Sequence, residues 1–405
     1  VTSISQGVTP TGAEAPQSGS GLSRSASTSF SSAGEDLQKF LKEGDYAEAE
    51  SGARKLLEAQ ERAAPEDLKG RIEILDVLVQ SLYRQRKVNN PETEGLAKEA
   101  VELSSRVYGE EDPTYVRALN SLANVYFALS NLEAAREAWE QALTIRRKTL
   151  GPDHPDVAKT LNNLGVVCLE SGDYMGALRL LEQSRIIREK ALGPDHPDVA
   201  TTLNNIGKQL LILADYQGAI EALERALAIR EKALRPDHPL IAESLSNLGE
   251  AYYSMKDFQH ARPLFERALV VDEKAFPKGN PYLANDKGNL GRLLLELGNY
   301  PAALAHLEGV LAINEKGRGP QDGVVALDLQ VVSDLYAKLG RQAEALQAAQ
   351  RSLSIQEKVM GPDHVEVSVA LETLSSRYFE TAQYQKAVDV LGKALAIVEK
   401  ALGPT

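Results

Sequence analysis

GPDHPDVAKTLNNLGVVCLESGDYMGALRLLEQSRIIREKAL, from Gly151 to Leu192, is followed at once by GPDHPDVATTLNNIGKQLLILADYQGAIEALERALAIREKAL, from Gly193 to Leu234. The period is 42 residues, and looser copies lie on both sides. Self-similarity at a fixed period of this length marks a stacked array, in which each unit buries on its neighbour an apolar stripe that it cannot bury alone.

Inside the unit, Leu161, Leu164 and Cys168 fall at helical spacing, and so do Ala177, Leu181, Ser184 and Ile187. The spacing predicts two helices joined by Ser171-Gly172-Asp173, where glycine permits the turn and Asp173 can cap the second helix. Between units, Gly193 can take the left-handed conformation that ends a helix, and Pro194 prevents its continuation. His196 is the predicted N-cap, Pro197 the first helical residue, and Asp198 a first-turn charge that offsets the helix dipole.

Counting outward places units at 109, 151, 193, 235, 277, 319 and 361, with joints GEEDP, GPDHP, GPDHP, RPDHP, PKGNP, GPQDG and GPDHV. No insertion breaks this register from Gly109 to Leu402. An irregular unit starting near 67 precedes them, so the array is expected over 66–405 as one elongated domain. Its helix Ile72 to Tyr83 is apolar on several sides, which suits a buried end better than a docking surface. Residues 34–65 read as a degenerate N-terminal helical cap.

The residues resemble the tetratricopeptide repeat. The pattern reads Leu161, Leu164, Gly165, Cys168, Gly172, Tyr174, Ala177, Leu181 and Ser184, then Leu203, Ile206, Gly207, Leu210, Tyr216, Ala219, Leu223 and Ala226. The 42-residue length, the DHPDVA joint, the LNNL run and Pro263 inside a second helix are similar to the kinesin light chain type. The resemblance covers roughly 65 to 402. It implies an all-α chain folded as a right-handed α-solenoid of stacked antiparallel helical hairpins, with protein binding as its function.

Residues 1–33 are dominated by Ser, Thr, Gly, Ala and Pro, with Glu14 and Arg24 the only charges, and are expected to be disordered. The chain begins with Val1, which suits a fragment or processed form. Its Ser-rich start is compatible with the tail of an organelle transit peptide or with a plain linker. The formal charge of −12 argues against a nucleic-acid partner. No run of about eighteen apolar residues offers a membrane span, so a soluble chain is expected, in the cytoplasm or in an organelle interior.

By the same resemblance, first helices line the concave face. Groove positions then read Asn120-Ser121, Asn162-Asn163, Asn204-Asn205, Ser246-Asn247, Gly288-Asn289, Gln330-Val331 and Glu372-Thr373, and an amide ladder can bond an extended peptide backbone through both donors and acceptors. The candidate partner-binding set is Asn120, Asn163, Asn205, Asn247, Asn289, Lys159, Lys208 and Arg292. Asparagines that merely order the stack are the competing reading. Groove charge grades from Arg117, Lys159 and Lys208 toward Glu243, Glu250, Glu296, Asp334, Glu372 and Glu380, which would orient a charged partner.

An enzyme is not expected. His154, His196 and His238 recur one period apart, a separation of roughly two interhelix distances of 8 to 10 Å, too far for shared metal ligation. No catalytic residue, cofactor or metal is assigned. Cys168 takes a position that is bulky and apolar in sister units and is read as core. The alternative to an adaptor with a peptide groove is a structural or assembly subunit docked by its ends or outer face. In that reading the last helix, 383–402, exposes Val388, Leu391, Leu395, Ile397 and Val398.

Overall fold

The computed structural model describes residues 37–402 apart from Lys42, Gly44 and Asn89, so the head at 1–33 lies outside the described residues. The chain divides into two compact units, Val1–Ala233 and Leu234–Thr405. In the first, the helices are Tyr46–Ala63, Leu68–Arg84, Pro91–Tyr108, Pro113–Ala128, Leu132–Leu150, Pro155–Glu170, Tyr174–Leu192, Pro197–Ile212 and Tyr216–Ala233. In the second they are Pro239–Ser254, Phe258–Ala275, Pro281–Glu296, Tyr300–Arg318, Gly323–Lys338, Gln342–Met360, Val365–Glu380 and Tyr384–Leu402. Among the described residues there is no strand. Each first helix packs on its own second helix, and within each unit each second helix packs on the next first helix. This is the stacked-hairpin architecture expected from the period.

The joints explain why the helices start where they do. His154 Nδ1 accepts from the Asp156 N–H at 3.1 Å, His196 Nδ1 from Asp198 N–H at 3.1 Å, and His364 Nδ1 from Glu366 N–H at 3.2 Å. Asn280 and Asp322 do the same through side-chain oxygens at 3.0 and 2.9 Å. A cap of this kind is worth about 1 kcal/mol. Gly193, at φ +92°, ends the preceding helix in the left-handed region. Several joints are also clipped from behind. Lys232 Nζ donates to Asp195 Oδ2 at 3.1 Å, Lys400 Nζ to Asp363 Oδ2 at 2.6 Å, and Lys190 pairs likewise with Asp153. These pairs are exposed, so each contributes well under about 1 kcal/mol.

Inside each hairpin the contact is a small residue against a large one. A Cβ added at Gly165 would lie 2.8 Å from Leu181, at Gly207 2.4 Å from Leu223, and at Gly249 2.6 Å from Phe265. Leu181, Leu223 and Phe265 are almost wholly buried, each contributing about 1.5–3 kcal/mol. Where the column changes to serine, the hydroxyl reaches the second helix instead: Ser333 Oγ donates to Ala345 O at 2.8 Å and Ser375 Oγ to Ala387 O at 2.9 Å.

The irregular helix Leu68–Arg84 is buried on several faces, with Ile72, Ile74, Leu75, Val77, Leu78, Val79 and Leu82 all in the core. Helix Phe258–Ala275 continues through Pro263. Cys168 is buried, and burial pushes its thiol pKa up, as suits a core residue. In the last helix Val388, Leu391 and Leu395 are exposed as expected, but Ile397 is not: it packs with Val367, Leu371 and Ala394. It falls on the inward stripe of Tyr384–Leu402, with Ala394 one turn before it.

Candidate functional site: the face of the first helices

Within each unit, bonds roughly one period long join neighbouring first helices. Arg117 Nη2 donates to Glu73 Oε1 at 3.0 Å and its Nε lies 3.1 Å from Asp76 Oδ2. Asn205 Nδ2 donates to Asn162 Oδ1 at 3.1 Å. In the second unit Ser246 Oγ donates to Asp286 Oδ1 at 2.8 Å, and Arg292 Nη2 to Glu250 Oε2 at 2.6 Å. These bonds set the candidate residues in rows along the face.

The residues expected on that face do not stand alike. Asn163 is half-buried and has no hydrogen-bond partner among the described residues, so both ends of its amide are open to a ligand. Asn205 spends its Nδ2 on Asn162 and keeps its Oδ1. Asn289 accepts from Arg292 Nη2 at 3.0 Å. Asn247 is half-buried and engaged in its own polar contact. Asn120 differs from the rest, because its Nδ2 donates to Val116 O at 2.6 Å within its own helix and its Oδ1 lies 3.5 Å from Arg146 Nη1. By register it is the sister of buried Asn162, and Ser121, also buried, is the sister of Asn163. The competing reading of ordering asparagines therefore describes Asn120, Asn162 and in part Asn205.

Of the three cations in the set, Lys159 is exposed, yet the protein around its ammonium displaces water and lowers its pKa, and Arg146 lowers it further. Lys208 is half-buried and without an ion pair among the described residues. Arg292 is committed to Glu250 and Asn289 and lies 4.8 Å from the centroid of the Tyr253 ring. Lys159 and Lys208 share the first unit with Asn163 and Asn205, and those four make the open part of the set.

A buried arginine column is the feature the sequence reading missed. Arg188 Nη1 donates to Asp198 O and to Thr202 Oγ1, both at 2.7 Å, across a joint. Arg146 Nη1 donates to Thr160 Oγ1 at 2.6 Å in the same way. Burial lowers the pKa of both guanidiniums. The signal was present: arginine at 146 and 188 is followed fourteen residues later by threonine at 160 and 202. Periodic charge on a second helix, read alone, looks like a solvated face.

Among the described residues, no group of three or more His, Cys, Asp or Glu could hold a metal ion, and no helix is long and apolar enough to cross a membrane.

Stacked two-helix repeats, capped at each joint and tied together along the first helices, define a helical-repeat scaffold. The tetratricopeptide repeat model matches residues 115–185, 157–232, 199–274, 282–358 and 332–400, more than half of the chain, and the protein belongs to this family. No curated protein matches it. Among solved structures, RapI in its apo form has a TM-score of 0.57 at 13% identity, covering 92% of this chain and 98% of its own. BtubC from P. vanneervenii has a TM-score of 0.48 at 24% identity, covering 57% and 92%. A Podosopora anserina repeat protein described as a kinesin light chain has a TM-score of 0.44 at 27% identity, covering 51% and 96%. The first of these likenesses is one of fold. The architecture is that of protein–protein interaction scaffolds.

Proposed function

We propose that the chain is an adaptor that binds an extended segment of a partner protein along the face of its first helices. The observation that carries this reading is Asn163. A half-buried amide with no hydrogen-bond partner among the described residues, one repeat from an Asn205 that keeps its Oδ1, suits the alternating N–H and C=O groups of a peptide backbone. Lys159 and Lys208 flank the two amides and favour an acidic stretch of the partner at this place. The test is selection from a displayed peptide library with the wild-type chain, followed by binding of the enriched peptides to an Asn163→Ala/Asn205→Ala variant. Loss of at least tenfold in affinity with helical content retained supports the reading. Unchanged affinity overturns it.

A second reading rests on a separate observation. Val388, Leu391 and Leu395 are all more than half exposed on helix Tyr384–Leu402, a face suited to contact with another protein. Changing all three to polar residues distinguishes this docking from peptide capture, which should survive.

A further inference from the structure

The second unit contains a place where the repeat pattern fails twice at one spot. At the first residue of the second helix the column reads Leu132, Tyr174, Tyr216, Phe258, Tyr300, Gln342 and Tyr384. At the thirteenth residue of the first helix it reads Val125, Val167, Gln209, Ala251, Leu293, Leu335 and Arg377. The two columns meet across neighbouring repeats. Tyr300 packs in the same cluster as Leu335, and Lys338 Nζ lies 4.9 Å from the centroid of the Tyr300 ring. One period on, the equivalent residues are Gln342, Arg377 and Glu380. They line an open cavity of about 570 Å³, walled by Leu295, Val331 and Leu335.

The cavity is polar where the neighbouring repeat packs Tyr300 with Leu335, and unlike Gln209, whose Nε2 donates to Tyr174 O at 2.8 Å, Arg377 has no such backbone partner across the repeat junction among the described residues. Arg377 is buried to 8% exposure, and its Nε and Nη1 have no hydrogen-bond partner among the described residues. Its Nη2 lies 3.2 Å from Glu380 Oε1 and 3.5 Å from Asp334 Oδ1. Gln342 Oε1 is buried and likewise without a donor. Those atoms are sealed from solvent, so what an occupant of the open cavity can reach is its rim of Asp334, Lys338 and Glu380, which offers acceptors and a donor. Charge does not call for an ion, since Asp334 and Glu380 balance Arg377 and Lys338. Size and shape follow from the neighbouring repeat, where the Tyr300 ring packs in the equivalent place.

From this juxtaposition we infer that the cavity beside Gln342 and Arg377 is a binding pocket for a tyrosine side chain of a partner protein. The partner supplies in trans the ring this repeat lacks. Its ring rests on Leu335 and Val331 and against the Arg377 guanidinium, and its hydroxyl offers both a donor and an acceptor to the polar rim. The inference rests on the reading of the chain as a partner-binding module, but it concerns first-helix residues of the second unit and not Asn163 and Asn205, and either can fail without the other.

The experiment uses the full chain and N-acetyl-tyrosinamide as probe, read by saturation-transfer NMR and titration. A fragment of this size binds a well-formed pocket with a Kd of about 1 mM. N-acetyl-phenylalaninamide should bind at least threefold more weakly, and N-acetyl-leucinamide more weakly still. Gln342→Tyr restores the sister residue, fills the pocket in cis and should abolish saturable binding without lowering the melting temperature. Arg377→Leu restores the apolar column and should remove the preference for tyrosine over phenylalanine. Asn163→Ala/Asn205→Ala should leave probe binding unchanged, whatever it does to peptide capture. Absence of saturable binding by the wild type up to about 10 mM, equal binding of the leucine probe, or undiminished binding by Gln342→Tyr would each overturn the inference.

Discussion

Asn205 reaches back across one repeat to Asn162, donating from Nδ2 to Oδ1 at 3.1 Å, while Asn163, next to Asn162, has no hydrogen-bond partner among the described residues. Asn162 and Asn205 thus tie neighbouring repeats together, whereas Asn163 makes no such tie among the described residues.

This division gives the first prediction. Asn205→Ala removes an inter-repeat bond at a half-buried site and should cost about 1 kcal/mol of stability. Asn163→Ala should stay within about 0.5 kcal/mol of wild type. Urea unfolding of the two single variants checks the contrast, and equal losses would contradict it.

A second prediction concerns the hairpin contact. Gly207→Ala places a Cβ 2.4 Å from Leu223 and forces the second helix outward, at a cost of about 1–3 kcal/mol. Gly288→Ala meets nothing within 4 Å in helix Pro281–Glu296 and should stabilise by about 0.5–1 kcal/mol. Opposite shifts in thermal midpoint are the expected result.

Between the helices of a hairpin, Gly172, Gly298 and Gly340 take positive φ, but Ala214, Lys256 and Ala382 hold the same place at φ of 58°, 61° and 57°. A side chain in this region costs about 1 kcal/mol. Lys256→Gly and Ala214→Gly should therefore each raise stability by about 0.5–1 kcal/mol, whereas glycine elsewhere in a helix lowers it. Thermal melts of each single variant decide the sign.

The strongest pH dependence should come from Asp272 and Asp286. Both are buried, and Ser246 donates to Asp286. Burial, the neighbouring carboxylate and Glu243 push Asp272 up to about 8. Burial raises Asp286 to about 6, against the bonds from Ser246 and Asp272 and the charge of Lys287, with Glu273 adding to the rise. The folded state then holds more protons than the unfolded state between an ordinary Asp value of about 3.9 and about 8. Stability falls as pH rises through this window, because the bound proton contributes fully below it and is lost above it. Asp272→Asn keeps a donor toward Asp286 without needing that proton. It should be more stable than wild type at pH 9 by on the order of 2 kcal/mol, with a flatter profile from pH 5 to 9. A parallel pair of profiles would refute the account.

Much of this was legible in the sequence, because joints and helices rest on local chemistry. Glycine with positive φ, proline at the first helical turn and a capping histidine act within a few residues, so GPDHP could be read without knowing its neighbours. The site was less legible, because its roles depend on contacts a whole period away. Asn120 looks like a groove residue until Arg146 is seen beside it. Arg188 looks solvated until Thr202 is found under it. Gln342 and Arg377 are unremarkable singly, and only the two columns laid side by side show an aromatic and an apolar residue replaced where they meet.

The repeats from Gly151 to Leu234 carry the same interchangeable ends, unlike the irregular unit near 67. Deleting residues 151–192 would join Leu150 to Gly193, and Arg146 would then face Asp198 and Thr202 as it now faces Asp156 and Thr160. Such a chain loses one storey and keeps the arginine–threonine bond at the joint, although Arg225, which now pairs with Glu189, would meet Arg147 instead. The second unit lacks that equivalence. Asn314 Nδ2 donates to Asp328 Oδ2 at 2.7 Å, and excising residues 319–360 would set it against Ala370. One part of the chain is a row of nearly equivalent bricks, while the other is a fixed order of unlike ones, and the latter holds each neighbour more firmly to its address.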